Sequence, residues 1–240
     1  NIGDTYAMSS MRGKDSLFKS IDQSKSGIQN VKRSIPIGLK AKDLMMIPNR
    51  VAIALQDAGW YIRSEIIWHK PNPMPESIKD RPTSCHEKIW LITKSKKYYY
   101  DADAVREPCK EETVRRMTLG NKGKVGKNKN STGWKQLNHY WGSKQSVIDA
   151  NKGRNRRNVW TINTKPFKGA HFATFPKDLI EPCIKAGCPE NGVVLDPFGG
   201  SGTTGIVAAL NKRKSIIIEL NPDYIEIFKT RIKDEQIYKR

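Results

Sequence analysis

Cysteine is scarce in this chain: four in 240 residues (Cys85, Cys109, Cys183 and Cys188), with no CxxC spacing among them and no matching histidine pair. A structural zinc site is therefore not expected, and no metal is assigned. Sparse, unpaired cysteine fits reduced thiols in a cytoplasm better than a disulfide-stapled secreted scaffold. Long apolar runs are missing too, so neither a membrane span nor a signal peptide is expected. Acidic residues are in deficit: 24 Asp and Glu face 43 Lys and Arg, a formal charge of +19. A field of that sign argues for a polyanionic partner, although a merely basic, soluble protein would carry it as well. Apolar residues make up 37% of the chain, lean enough that part of it should be polar rather than core.

What is present has a readable order. Residues 8–38 are rich in Ser, Lys, Gly and Gln and lack periodicity, which predicts a loop. Leu44, Ile47, Val51 and Leu55 recur at helical spacing and predict a helix over 42–58, with Pro48 forcing a kink or a later start. Strands are predicted over 60–69 and 88–93, separated by a proline-punctuated loop. Between Arg106 and Arg157 the composition shifts to 14 Lys or Arg against 4 Asp or Glu, interleaved with Trp134, His139, Tyr140 and Trp141. That stretch reads as an insertion on an α/β core; a solvated loop is the plainer alternative, but two tryptophans are unusual in one. A helix over 176–186 with Pro in its first turn follows, then short strands at 193–195 and 216–218. A final helix over 222–233 is expected to turn Tyr224, Ile225, Phe228 and Ile232 inward.

The sharpest signal is the run Val193 to Gly205, in which Val193-Val194-Leu195 leads into Asp196-Pro197-Phe198-Gly199-Gly200-Ser201-Gly202-Thr203-Thr204. A buried strand entering a glycine-rich turn and then a helix lets a ligand approach bare backbone, and the helix start offers free N–H groups to an anion. Glu219 closes the next strand, where a doubly wound sheet places a carboxylate for ribose hydroxyls. A nucleoside triphosphate is disfavoured because no lysine follows the glycines. A nicotinamide dinucleotide fits the bare glycine spacing, but no second mononucleotide half follows it. S-adenosylmethionine fits best, using the helix start with Thr203 and Thr204, the acid Asp196 and the acceptor Glu219.

The cofactor strand is nearly last in the chain, so most of the sheet must come before it. In that order these residues resemble the permuted (β-group) bacterial and phage DNA N4-cytosine/N6-adenine methyltransferases, and the resemblance covers essentially the whole chain. It implies a three-layer α/β, Rossmann-like fold with a mixed sheet and S-adenosylmethionine as the cofactor. His171-Phe172-Ala173-Thr174-Phe175-Pro176 is similar to the family's second cofactor-contacting segment, which adds His171, Thr174, Phe175 and Pro176 to the candidate site. The stretches Trp68 to Glu76 and Arg81 to Glu87 are similar to the mid-region that shapes the pocket for an extruded base. For Trp68 and Trp90 a place in the strand core is an equal reading, and His86 is read as structural rather than as a general base.

The resemblance also implies a catalytic Pro-Pro-aromatic loop that holds the target amine, and this sequence has no Pro-Pro pair. Asn221-Pro222-Asp223-Tyr224 imitates it but is explained by helix capping. Because Asn1 to Ala7 resembles the segment just after the loop, the loop is expected ahead of Asn1. Methyl transfer by these 240 residues alone is then expected to be weak or absent. The division that follows is 1–105 as the catalytic side of the core, 106–158 as a basic target-recognition insertion and 159–240 as the cofactor side. Within the insertion, Arg115, Arg116, Lys122, Lys124, Lys127, Lys129, Arg154, Arg156 and Arg157 are the expected phosphate contacts. The expected partner is double-stranded DNA, in the cytoplasm of a bacterial or phage-infected cell, with a restriction endonuclease as an open counterpart. Three rivals stay in view: an RNA or protein methyltransferase, a non-catalytic DNA-binding module that keeps the fold, and an NAD oxidoreductase, which cofactor titration would separate.

Overall fold

The computed structural model describes residues 4, 6, 38–119, 143–165 and 175–235. They fall into two compact units, one of Asn1–His69 with Glu76–Lys96 and one of Lys70–Pro75 with Lys97–Arg240. The loop predicted over 8–38 lies outside the described residues except for Gly38. No described helix is long and apolar enough to cross a membrane, and no described cluster of His, Cys, Asp and Glu could hold a metal ion.

The first unit carries helix α1 (Ile47–Asp57) and strands β1 (Tyr61–His69) and β2 (His86–Thr93). The predicted helix starts five residues late. Pro48, which has no N–H to give, occupies its first turn, and Asp4 Oδ1 accepts the Ile47 N–H at 3.1 Å. Leu44, expected on the helix, instead forms a bridge with Tyr6. β1 and β2 pair antiparallel from Tyr61↔Thr93 to His69↔His86, with a bulge between Ile62 and Ser64. Trp68 is 2% exposed and belongs to the strand core. Lys88 reaches Glu65 at 2.7 Å and also lies over the Trp90 ring. Beside this ladder the Arg81 guanidinium stacks 4.0 Å over Tyr6 and pairs with Glu76 at 2.7 Å.

The second unit contains helices α2 (Glu111–Leu119) and α3 (Lys144–Lys152), strand β3 (Val159–Thr161), helix α4 (Lys177–Gly187), strand β4 (Val193–Asp196), helix α5 (Thr203–Leu210), strand β5 (Lys214–Ile217) and helix α6 (Pro222–Asp234). β4 and β5 pair in parallel, Val193↔Lys214 through Asp196↔Ile217, so β5 starts two residues before the predicted isoleucine run. α5 crosses between them and packs on both and on α4. The core is built there: Ile184, Val207 and Ala208 are buried with Ile180 and Val194 against them, and Ile206 is wholly enclosed. Each of the fully buried isoleucine and valine side chains contributes roughly 1.5–3 kcal/mol by leaving water. The opposite face of the ladder is bare, with Val193, Leu195, Ile216 and Ile218 each more than half exposed. Pro176 caps α4 rather than sitting in its first turn. In α6 the helical spacing turns Tyr224, Ile227 and Phe228 inward, while Ile225, expected inside, is exposed.

Candidate functional site

The turn between β4 and α5 sits at the carboxyl end of the parallel strands, where open α/β sheets bind their ligands. Its shape follows from its glycines. Gly202 has φ 76°, a left-handed conformation that a side chain would strain, and a β-carbon there would collide with the Phe228 ring of α6. A β-carbon on Gly199 would collide with Ile217. Backbone therefore lies directly against the layer beneath, and the turn stays thin.

Two carboxylates tie the turn together. Asp196 Oδ1 accepts the Phe198 N–H at 3.0 Å and its Oδ2 accepts the Thr204 hydroxyl at 2.6 Å. Glu219 reaches back from beyond β5, accepting the Gly200 N–H at 2.6 Å on one oxygen and the Asn221 N–H at 2.8 Å on the other. Each carboxylate oxygen has a second lone pair, so both acids can hold the loop and still accept from a ligand. Ser201, Thr203 and Thr204 are all buried, at 3–5% exposure. The Thr203 and Thr204 hydroxyls, expected to face a ligand, are instead turned inward, Thr203 to Arg231 and Thr204 to Asp196. The donors left for an anion are the main-chain N–H groups that open α5, which have no acceptor within the helix. Around them Phe198 and Leu220 are 87% and 98% exposed, two apolar side chains at the rim of a polar turn.

Pro176 is buried and Phe175 half-buried at the start of α4, while His171 and Thr174 lie outside the described residues. Asn221 is the cap expected: its side chain accepts the Asp223 N–H at 2.9 Å, with Pro222 opening α6. Sequence reasoning missed Arg231 and Leu220 here, and it placed Phe228 inward without foreseeing its ring beneath Gly202. Leu220 had a signal, being the apolar neighbour of Glu219; the other two act from a separate helix.

The basic segment shows a division of labour. Arg115, Arg116 and Arg157 are exposed, the first two on α2, which packs against α3. Arg154 is drawn inward: it exchanges backbone hydrogen bonds with Glu107 at 2.8 and 2.9 Å and pairs with its carboxylate at 3.3 Å. Arg156 lies 4.6 Å over the Trp160 ring, whose indole N–H donates to the Arg157 carbonyl at 2.7 Å. Arg154 and Arg156 thus brace the ends of the segment. Lys122, Lys124, Lys127 and Lys129 lie outside the described residues.

The DNA methylase family model (N6_N4_Mtase) matches residues 12–230. The type II methyltransferase M.Cfr9I of Citrobacter freundii is 45% identical over 236 residues, 98% of this chain and 64% of that protein. M.SmaI of Serratia marcescens is 40% identical over 97% of this chain and 65% of its own length. Among solved structures the PvuII DNA methyltransferase (cytosine-N4-specific) superposes with a TM-score of 0.55 at 21% identity, covering 85% of this chain and 65% of that one. This chain belongs to the DNA methylase family. Its fold is the Rossmann-like α/β fold of S-adenosylmethionine-dependent methyltransferases in permuted order, with antiparallel and parallel pairing both present. It spans just under two thirds of the length of the relatives it matches, 64% for M.Cfr9I.

Proposed function

We propose that this protein transfers a methyl group from S-adenosylmethionine to the exocyclic amine of adenine (N6) or cytosine (N4) in duplex DNA. The observation that carries this reading is the thin glycine turn hooked to Glu219 at the head of α5. That arrangement offers an anion-binding helix start, two carboxylates and an apolar rim within one turn, which matches an amino-acid carboxylate, an ammonium group, a ribose and an adenine. The main-chain N–H groups of α5 hold the carboxylate, Asp196 lies nearest for the ammonium group, and Glu219 accepts from the ribose. Pro197, Phe198, Gly199, Gly200, Ser201 and Gly202 form the wall, with His171, Thr174, Phe175 and Pro176 closing the methionine end. When bound, the cofactor supplies an electrophilic methyl group. No residue of this chain is assigned a catalytic role.

The segment 106–158 is the DNA-facing part of the proposal, between a catalytic-side 1–105 and a cofactor-side 159–240. Arg115, Arg116 and Arg157 meet phosphates, joined by Lys122, Lys124, Lys127 and Lys129. The protein would work in the cytoplasm of a bacterial or phage-infected cell. The type II naming of its relatives supports a restriction endonuclease counterpart.

The test is incubation with methyl-labelled S-adenosylmethionine and unmethylated duplex DNA, followed by nucleoside analysis. Label in N6-methyladenine or N4-methylcytosine above an enzyme-free control, however slow, is the expected result. No label, with salt-sensitive DNA binding intact and none gained when a segment bearing a Pro-Pro-aromatic loop is joined ahead of Asn1, would replace the enzyme with a DNA-binding module of the same fold.

A further inference from the structure

Arg231 stands on the inner face of α6, three residues beyond Phe228 and so next to it on the helix surface. Its Nη1 reaches three oxygens of the glycine turn: the Ser201 carbonyl at 2.6 Å, the Ser201 hydroxyl at 2.8 Å and the Thr203 hydroxyl at 3.0 Å. The first and last residues it grips, Ser201 and Thr203, flank Gly202, the point where the chain enters α5. One turn further along α6, Glu235 pairs with Lys177, the residue that opens α4 directly after Phe175 and Pro176. One end of α6 thereby ties both segments that border the candidate cofactor site.

A cation beneath a helix start is electrostatically out of place, because the N-terminus of a helix already carries a partial positive charge. Burial lowers the Arg231 pKa, the direction expected for a guanidinium withdrawn from water. Two positive sources converging on one turn favour an anion above it. A carboxylate bound at the head of α5 would be drawn to both.

On the reading of the site as an S-adenosylmethionine site, we propose that Arg231 is a positioning residue for the cofactor's carboxylate. It fixes the Ser201–Thr203 turn so that the N–H groups opening α5 converge, and it supplies positive potential from behind them. It does not touch the ligand.

Calorimetric titration of S-adenosylmethionine into the protein and into R231M, R231K and K229M tests this. Lys229 pairs with Glu226 on the exposed side of the same helix and controls for disturbance of α6. R231M should bind about tenfold more weakly or worse, R231K should fall between it and the parent, and K229M should match the parent. Adenosine, which lacks the carboxylate, should bind all four within about twofold, and methylguanidinium should restore part of the R231M loss. R231K, which keeps a charge in place, reports on the geometry should R231M fail to fold. Equal losses for adenosine and S-adenosylmethionine would reduce Arg231 to a structural strut and overturn the inference. So would an R231M protein that binds S-adenosylmethionine as well as the parent. A parent protein that binds none would instead sink the cofactor reading itself, and this inference with it.

Discussion

Glu219 holds Gly200: its carboxylate oxygen accepts the glycine N–H at 2.6 Å across a separation of 19 residues. The end of β5 is thereby latched to the turn that follows β4. A hydrogen bond to a charged acceptor contributes about 1.5–3 kcal/mol. Glu219→Ala should therefore weaken S-adenosylmethionine binding by at least about tenfold, with Glu219→Gln between the two. Isothermal titration checks this; an alanine variant that binds within twofold of the parent contradicts the assignment of Glu219.

Gly202→Ala places a methyl group against the Phe228 ring in a left-handed conformation. The backbone strain alone costs about 1–3 kcal/mol, and the collision adds to it. The melting temperature should drop clearly, and cofactor affinity with it. Pairing the change with Phe228→Ala should recover part of the loss, since residues in contact are not additive. Strict additivity in that double-mutant cycle would show that the ring is not what excludes the methyl.

The basic arginines should separate into two kinds. Replacing Arg115 and Arg116 with alanine should lower the slope of log affinity for DNA against log salt by about 2 in magnitude, with little change in melting. Arg154→Ala should do the reverse, lowering the melting temperature because Glu107 is left half-buried without its partner. Identical salt slopes for the double variant and Arg154→Ala would remove the phosphate reading of α2.

Burial pushes the Cys183 thiol up to about 11, from an ordinary value near 9. The neutral thiol is favoured, so iodoacetamide should label Cys183 slowly at pH 8 and faster only as pH climbs toward 11. The same shift makes the folded chain hold a proton that the unfolded chain has lost between those two values. This contribution to stability is intact below pH 9 and declines above it. Rapid labelling at neutral pH, read by mass spectrometry of the 178–185 peptide, would contradict the burial.

What could be read from the sequence was whatever is settled within a few residues. The strand, glycine turn and helix of 193–210 are local chemistry, as are the Asn221 cap and the late start that Pro48 imposes on α1. What escaped depends on contacts between elements. Arg231 lies 30 residues from Ser201, and nothing in the helical pattern of 222–234 marks it as different from its neighbours Lys229 and Lys233. Thr203 and Thr204 looked like ligands because their hydroxyls stand beside the glycines; only the packing of α5 shows them turned inward. Ile225 was placed inside by its hydrophobicity, but the inner stripe runs through Ile227. Arg154 looked as available as Arg157 until Glu107, 47 residues earlier, claimed it.

That pairing of Glu107 with Arg154 has an evolutionary consequence. The chain leaves and re-enters through one two-bond pinch, with Arg106 bonded to the Gly153 carbonyl beside it, and the residues between form an insertion beyond it. Lengthening them costs only slowly rising loop entropy, about 0.6 kcal/mol per doubling. Recombination between related genes with crossovers at these two positions would exchange the whole intervening cassette and leave β3, β4 and the glycine turn where they stand. A lineage could in this way try new surfaces in that segment without re-solving the fold.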